Sequence, residues 1–266
     1  MDITDSRIDA GRPFDFGRTS EDYARFRDIY PEEFYQKIVD RGLCVKGQRV
    51  LDIGTGTGVL PRNMYRYGAQ WTAADISENQ IAYGRSMAEK AGMDISFAVS
   101  SAEDMSFEEN SFDVVTACQC FWYFDHSVLM PKLSRFLRPG GTLLILYMAW
   151  LPFEDPIAGE SERLVLRYNP VWSGAGEERR PLWIPEAALE YFTLEDHEEY
   201  DIRVPFTRQT WHGRMKACRG AGASLSPQDL AKWEKEHIEM LQKKAPESFE
   251  VLHYAALAVL KSKRTQ

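Results

Sequence analysis

The amino-acid sequence predicts a doubly wound α/β fold, and three observations carry that reading. Short apolar strands alternate with helical patterns between residues 49 and 148, the rhythm of βαβ units building a parallel sheet with both faces covered. The first strand, residues 50–53, runs straight into the glycine-rich turn Gly54-Thr55-Gly56-Thr57-Gly58. The second strand ends in Asp75, and such folds place an acidic residue about 20 positions beyond the glycine turn. In chain order, opening helices occupy 20–46, and strands follow near 49–53, 70–75, 95–99, 112–117 and 142–148. Pro139-Gly140-Gly141 reads as a turn into the fifth of these strands. Residues 150–185 carry Pro152, Pro156, Pro170, Pro181 and Pro185 together with Gly174 and Gly176, which predicts an irregular insertion. Strands return near 197–205 and 249–260, and the stretch between them, 206–248, has a helical pattern.

Composition narrows the function. The chain has 266 residues with a net charge of −8, a balance that does not favour a nucleic-acid partner. The basic cluster Lys261-Ser262-Lys263-Arg264 reads as a solvated tail. No apolar run approaches the ~20 residues a membrane-crossing helix needs, and the longest, Leu143 to Leu151, falls far short. The polar, acidic N-terminus lacks the pattern of a signal peptide. Cys44, Cys118, Cys120 and Cys218 show no CxxC spacing, so neither a disulfide framework nor a metal site is expected, and a reducing cytoplasm fits best.

The glycine turn distinguishes two ligand chemistries. Dinucleotide enzymes favour GxGxxG, because a pyrophosphate sits on the helix N-terminus. Here the spacing is GxGxG, and Asp52 precedes it. An anionic side chain at the strand end opposes a pyrophosphate but suits S-adenosylmethionine, which carries a sulfonium and an ammonium and no phosphate. Asp75 is placed to accept hydrogen bonds from a ribose diol.

From these motifs outward the chain resembles the class I S-adenosylmethionine-dependent methyltransferase family. VLDIGTGTG is similar to its cofactor loop, TAADIS to its ribose clamp, SSAEDMSFEENSFDVVTACQCFWYFD to its third and fourth strand region, and FLRPGGTLLILY to the turn into its fifth strand. The stretches Tyr23 to Pro31 and FWYFD resemble the small-molecule group that includes trans-aconitate methyltransferases. The resemblance implies a mostly parallel seven-stranded sheet, with one of the last two strands antiparallel. It implies cofactor contacts from Asp52, Gly54, Thr55, Gly56, Gly58, Asp75, Ile76, Ser101, Ala102, Glu103 and Gln119, with S-adenosylhomocysteine as the product. Two departures stand out. The family's acidic Gly-Asp-Ala step, which reads the adenine amino group, is here Ser100-Ser101-Ala102, leaving the Ser101 hydroxyl as the acceptor. Where the narrower group often has His-Trp-Phe-Asp, this chain has Trp122-Tyr123-Phe124-Asp125, with no imidazole at the first position.

The same reading divides the chain into an N-terminal helical lid (1–48), the cofactor-binding core (49–148), a substrate-side insertion (149–196), and the last two strands (197–266) with a helical cap at 206–248. Candidate acceptor contacts are Arg27 and Tyr123, together with Arg208, Trp211 and Arg214, which lie close together in sequence and offer an anion-binding fork beside an apolar ring. Tyr23, Arg27 and Tyr30 are candidates for the lid. Tyr23 and His126 are the candidate catalytic groups, the latter as a general base. Cys118 and Cys120, two apart in a strand, are expected to face one side as small buried hydrophobes. Methyl transfer from a sulfonium is an in-line displacement that chiefly needs alignment, so a strong catalytic constellation is not expected. The function expected is methylation of a small-molecule carboxylate, hydroxyl, amine or thiol. Methylation of RNA or protein, a non-catalytic regulator, and an NAD-dependent dehydrogenase are the alternatives.

Overall fold

The computed structural model describes residues 4–6 and 8–265, with the side chains of Phe16 and Tyr23 outside the described residues. In chain order the elements are α1 (Ser20–Phe26), α2 (Glu32–Asp40), β1 (Arg49–Ile53), α3 (Val59–Met64), β2 (Gln70–Asp75), α4 (Glu78–Lys90), β3 (Ile95–Val99) and β4 (Phe112–Cys118). There follow α5 (His126–Phe136), β5 (Leu137–Trp150), α6 (Pro156–Tyr168), α7 (Glu186–Tyr191), β6 (Phe192–Thr207), α8 (Arg208–Lys216), α9 (Pro227–Lys244) and β7 (Ser248–Ser262). The seven strands form one sheet in the order β3-β2-β1-β4-β5-β7-β6. β1 pairs in parallel with both β2 and β4, β2 with β3, and β4 with β5. Strand order therefore reverses between β2 and β4, on either side of β1. In such sheets ligands bind at the carboxyl ends of the strands at that reversal. The doubly wound reading holds. No helix among the described residues is long and apolar enough to cross a membrane.

Three differences from the sequence reading have physical causes. β5 begins at Leu137, where Phe112 pairs with Leu137, and a register shift then absorbs the Pro-Gly-Gly turn before Val114 meets Thr142. The insertion expected to be irregular contains α6, a helix of 13 residues. Its Asp155-Pro156 start is a cap followed by a proline whose missing N–H costs nothing in the first turn. β6 begins five residues earlier than the sequence suggested, because its first half is exposed and polar.

The chain divides into two compact units. The strand-core unit comprises Tyr30–Met148, Pro181–Tyr200 and the chain from Ala255 onward. Its inner strands β1, β4 and β5 read as apolar runs because both sheet faces are covered there. On one face Val115, Ala117, Leu143 and Ile145 pack with Leu129 and Leu133 of α5, all essentially inaccessible. The helical unit comprises the residues up to Ile29, Ala149–Arg180 and Asp201–Tyr254. In it α6 buries Ala158, Ser161, Leu164 and Val165, and α9 buries Trp233, His237 and Leu241. Both follow the i, i+3/i+4 spacing of an amphipathic helix.

Asp155 is a keystone of the helical unit. Its Oδ1 accepts the N–H groups of Ile157 and Ala158, both at 3.0 Å, and its Oδ2 accepts that of Leu252 at 2.9 Å. Replacing this buried carboxylate removes a helix cap worth ~1 kcal/mol and strands the Leu252 N–H, at a cost of about 1–3 kcal/mol. Asp155→Ala is expected to destabilise the protein by about 2–4 kcal/mol. Urea unfolding should show a lower midpoint at unchanged slope; an unchanged midpoint would contradict this role.

Candidate active site

The site is built where β1 and β4 end, within the strand-core unit. After Ile53 the chain turns through three glycines in the left-handed region: Gly54 (φ 61°), Gly56 (φ 59°) and Gly58 (φ 72°). Gly54 has a second constraint. A Cβ there would lie 2.8 Å from both Cβ and Sγ of Cys120, so any side chain displaces the turn that follows β4. At the end of β4 a non-glycine residue, Gln119, also takes a left-handed conformation (φ 66°), a strained state that persists only when neighbours impose it. Here its N–H donates to the Leu146 carbonyl at 2.9 Å and its side-chain amide to the Met148 carbonyl at 2.5 Å.

Hydrogen bonds inside the loop fix its shape. Asp52 is 1 % exposed; its two carboxylate oxygens accept the hydroxyls of Thr55 and Thr116, each at 2.6 Å. Burial, opposed by those two hydrogen bonds, pushes its carboxyl up to about 7. Asp75 Oδ2 accepts the Gly56 N–H and Oδ1 the Ser77 N–H, both at 2.8 Å, and burial raises its carboxyl as well. Thr55 N donates to the Ala74 carbonyl at 3.0 Å and Ser100 N to the Asp75 carbonyl at 2.9 Å. These contacts tie the ends of β1, β2 and β3 together. Beside Asp75, two apolar side chains stay open: Ile76 is 46 % exposed and Val99, the register partner of Asp75, is 51 % exposed.

The structure brings together Asp52, Gly54, Thr55, Gly56, Gly58, Asp75 and Ile76, and it ties the strand carrying Asp75 to Ser100, next to Ser101 and Ala102. It gives several of the remaining residues different roles. Asp52 itself is engaged on both oxygens, by Thr55 of the loop and Thr116 of β4, so it holds the turn rather than facing a ligand. The Glu103 carboxylate accepts the Asp125 N–H at 2.8 Å and anchors the start of α5. Ser101 donates its hydroxyl to Asp104 Oδ2 at 2.7 Å and accepts the Asp104 N–H at 3.1 Å. Asp104, an exposed acid not singled out in the sequence, is thus paired with Ser101 of the step that lacks the family's acid. Its signal was local, a Ser followed three positions later by an acid able to pair with it.

His126 does not present a base through Nε2. That nitrogen lies 2.9 Å from the Phe121 carbonyl, which accepts only, so it carries the proton and donates it. The ring also packs on Phe121 at 4.6 Å and against Trp183 at 5.4 Å. Tyr123 sits in a short 3-10 turn with its ring 6.0 Å from Trp122. Cys118 and Cys120 have different partners, on either side of the left-handed Gln119: Cys118 Sγ lies 3.6 Å from the Tyr30 hydroxyl, while Cys120 Sγ donates to the Ile53 carbonyl at 3.1 Å.

The acceptor residues expected in the helical unit do not form one cluster. Arg208 donates from Nε and Nη2 to the Ala245 carbonyl at 3.0 and 2.8 Å and pairs with Glu247, so it closes the end of α9. Trp211 is fully buried and donates Nε1–H to Ser161 Oγ at 2.9 Å. Arg214, 5 % exposed, lies with its guanidinium 4.8 Å from the Trp150 ring centre. Arg27 is half-buried, and its charge, with that of Arg214, partly offsets the burial that raises the Cys218 thiol. Tyr23 lies in α1, and its side chain is outside the described residues.

The buried Asp52 makes stability depend on pH. Its folded carboxyl titrates near 7, whereas an unfolded aspartate titrates near about 4. Between those values the native state holds a proton the unfolded state has lost, so stability falls as pH rises from about 4 to about 7 and levels off above. Asp52→Asn is expected to flatten this segment in thermal melts from pH 5 to pH 8. Parallel pH profiles for the two proteins would show that the group is ionised throughout.

Comparison with known proteins agrees with this geometry. The family model described as a methyltransferase domain matches residues 51–145. A ubiquinone biosynthesis O-methyltransferase of Xanthomonas oryzae pv. oryzae (strain PXO99A) is 31% identical over 134 residues, covering 50% of this chain and 56% of that protein. The chain thus spans about half the length of the curated relatives it matches. Among solved structures, phosphoethanolamine N-methyltransferase 2 of Haemonchus contortus, in complex with phosphomonomethylethanolamine and S-adenosylhomocysteine, superposes with a TM-score of 0.54 at 22% identity, covering 91% of this chain and 57% of that one. A putative sarcosine dimethylglycine methyltransferase from Galdieria sulphuraria gives 0.52 at 18% identity, covering 88% and 86%. These two likenesses show the fold. The glycine turn, the acid ending β2 and the strand reversal all belong to or adjoin residues 51–145, the segment that matches a methyltransferase domain.

Proposed function

We propose that the protein transfers the methyl group of S-adenosylmethionine to a small-molecule acceptor. The observation that carries this reading is Asp75: a carboxylate at the tip of β2, fastened to the Gly56 N–H of the glycine turn and flanked by the open apolar side chains of Ile76 and Val99. An acid beside an apolar slot suits a nucleoside, with ribose hydroxyls donating to the carboxylate and a flat base lying on the aliphatic groups. Asp104 offers a further acceptor to an exocyclic amine. The GxGxG spacing of the turn differs from the GxGxxG that seats a pyrophosphate. The names of the relatives, an O-methyltransferase and N-methyltransferases among them, support methyl transfer to a small molecule and leave the acceptor atom open.

A bound donor supplies a methyl group already activated by its sulfonium. The residues here supply binding and alignment, which contribute most in a displacement of this kind. The loop from Gly54 to Gly58 brings the backbone close to a ligand without intervening side chains. Gln119, held by two carbonyls of β5, fixes the far side at the end of β4. Burial also raises the Cys120 thiol well above its ordinary value, so it stays protonated and does not compete as a nucleophile.

A charged hydrogen bond lost from a buried site costs about 1.5–3 kcal/mol. Asp75→Ala is therefore expected to weaken S-adenosylhomocysteine binding roughly ten- to hundredfold, measured by calorimetry, and to lower methyl transfer from labelled donor across a panel of small acceptors. Unchanged affinity would place the ribose elsewhere. Tight donor binding with no transfer to any acceptor would favour a binding protein over an enzyme.

A further inference from the structure

A pair of histidines in the helical unit shares one proton. His212 Nδ1 of α8 and His237 Nδ1 of α9 lie 2.9 Å apart, a distance at which one nitrogen must carry hydrogen and the other a lone pair. Both rings stack on Trp233, at 5.4 and 4.8 Å with interplanar angles of 16°. Ser161 of α6 settles which is which. Its hydroxyl donates to the Ile157 carbonyl at 2.8 Å and accepts the Trp211 Nε1–H at 2.9 Å. His237 Nε2 lies 3.0 Å from the same oxygen, and with the one hydroxyl hydrogen assigned to the Ile157 carbonyl, His237 is the donor. Its Nε2 therefore carries the proton and its Nδ1 the lone pair, so His212 Nδ1–H is the donor between the rings. The hydrogen bonds run one way, from His212 through His237 and Ser161 to the carbonyl of Ile157.

That direction makes the two histidines unequal. His212 Nε2, bare in the neutral ring, lies 3.8 Å from Glu234 Oε1. Glu234 also holds Lys216 Nζ at 2.8 Å, and Lys216 lies 3.4 Å from Asp22 of α1. A first proton on His212 Nε2 meets Glu234 and leaves every bond of the chain in place. A second proton can only go on His237 Nδ1, where N–H would oppose N–H at 2.9 Å with no acceptor between. We propose that this pair is an acid-sensitive latch between α8 and α9, which tolerates one proton at His212 and opens when His237 takes the second.

Burial lowers both histidines, and His237, with His212 beside it, is pushed down to about 3. An unfolded histidine titrates near about 6.5. The native state therefore holds fewer protons than the unfolded chain below that value. The stabilisation is complete above about 6.5 and is lost as pH falls toward about 3.

Long-range 1H–15N correlation spectra of the intact wild-type protein at pH 7.5 read the tautomers directly. The expected pattern is Nε2–H on His237 and Nδ1–H on His212. The reverse assignment, or ordinary titration of both rings near pH 6.5 in the folded protein, overturns the proposal. Glu234→Gln should move the His212 titration to lower pH; an unmoved titration removes the first proton's counter-charge and overturns the proposal. Glutamine mimics a neutral imidazole protonated at Nε2. His237→Gln should therefore make thermal melts less acid-sensitive below pH 6.5, by roughly 2–4 °C per pH unit. A slope equal to wild type would overturn the latch, and if this variant fails to fold the wild-type spectra still decide.

Discussion

The turn leaving β1 must reverse the chain beside β4 with no room for a side chain at Gly54, and the site depends on that constraint. The 2.8 Å approach of Cys120 to the missing Cβ couples the two turns, so neither changes without the other. Asp52 secures the arrangement from beneath, joining Thr55 of the first turn to Thr116 of β4. Asp75 secures it from the side through Gly56. Each of these acids satisfies hydrogen-bond donors that would otherwise be buried unmade, a penalty of about 1–3 kcal/mol apiece. The outcome is a backbone held open at the carboxyl ends of β1 and β2, at the place where the strand order reverses.

The helical unit follows a similar economy with different parts. Its core is aromatic, and several of the polar groups reaching into it have defined partners. Trp150 donates to Glu162 at 2.5 Å, and the other oxygen of Glu162 accepts the Gly176 N–H at 2.8 Å. Ser161 joins Trp211, His237 and the backbone of α6. Asp155 joins the start of α6 to β7. Such networks specify one packing arrangement more sharply than apolar contact alone. They also tie the unit's stability to the protonation of groups that burial has shifted.

Much of the strand core was legible in the sequence. β1, β2 and β4 are short, largely buried and punctuated by glycine and acidic residues, so their apolar runs begin and end where the chain does turn. The glycine turn and Asp75 were legible for the same reason, since chemistry and backbone geometry demand those residue types at that spacing. Most of the rest has no local signature. The first half of β6 is a polar, exposed stretch. Nearness in sequence is not nearness in space: at about 100° per residue Arg208 and Arg214 leave α8 on sides about 120° apart, and each finds a different neighbour. His212 and His237 lie 25 residues apart, and only the packing of α8 on α9 joins them. Asp104 does have a local signal in its pairing with Ser101, but it lies outside the Ser100-Ser101-Ala102 step that aligns with the family's acid.

The central claim is that the turn between β1 and α3 receives an adenosyl ligand without phosphate. Titration calorimetry with S-adenosylhomocysteine and with NAD, under identical buffer and protein concentration, tests it most directly. The account predicts saturable single-site binding of S-adenosylhomocysteine and no heat from NAD. Binding of NAD with no response to S-adenosylhomocysteine would contradict it.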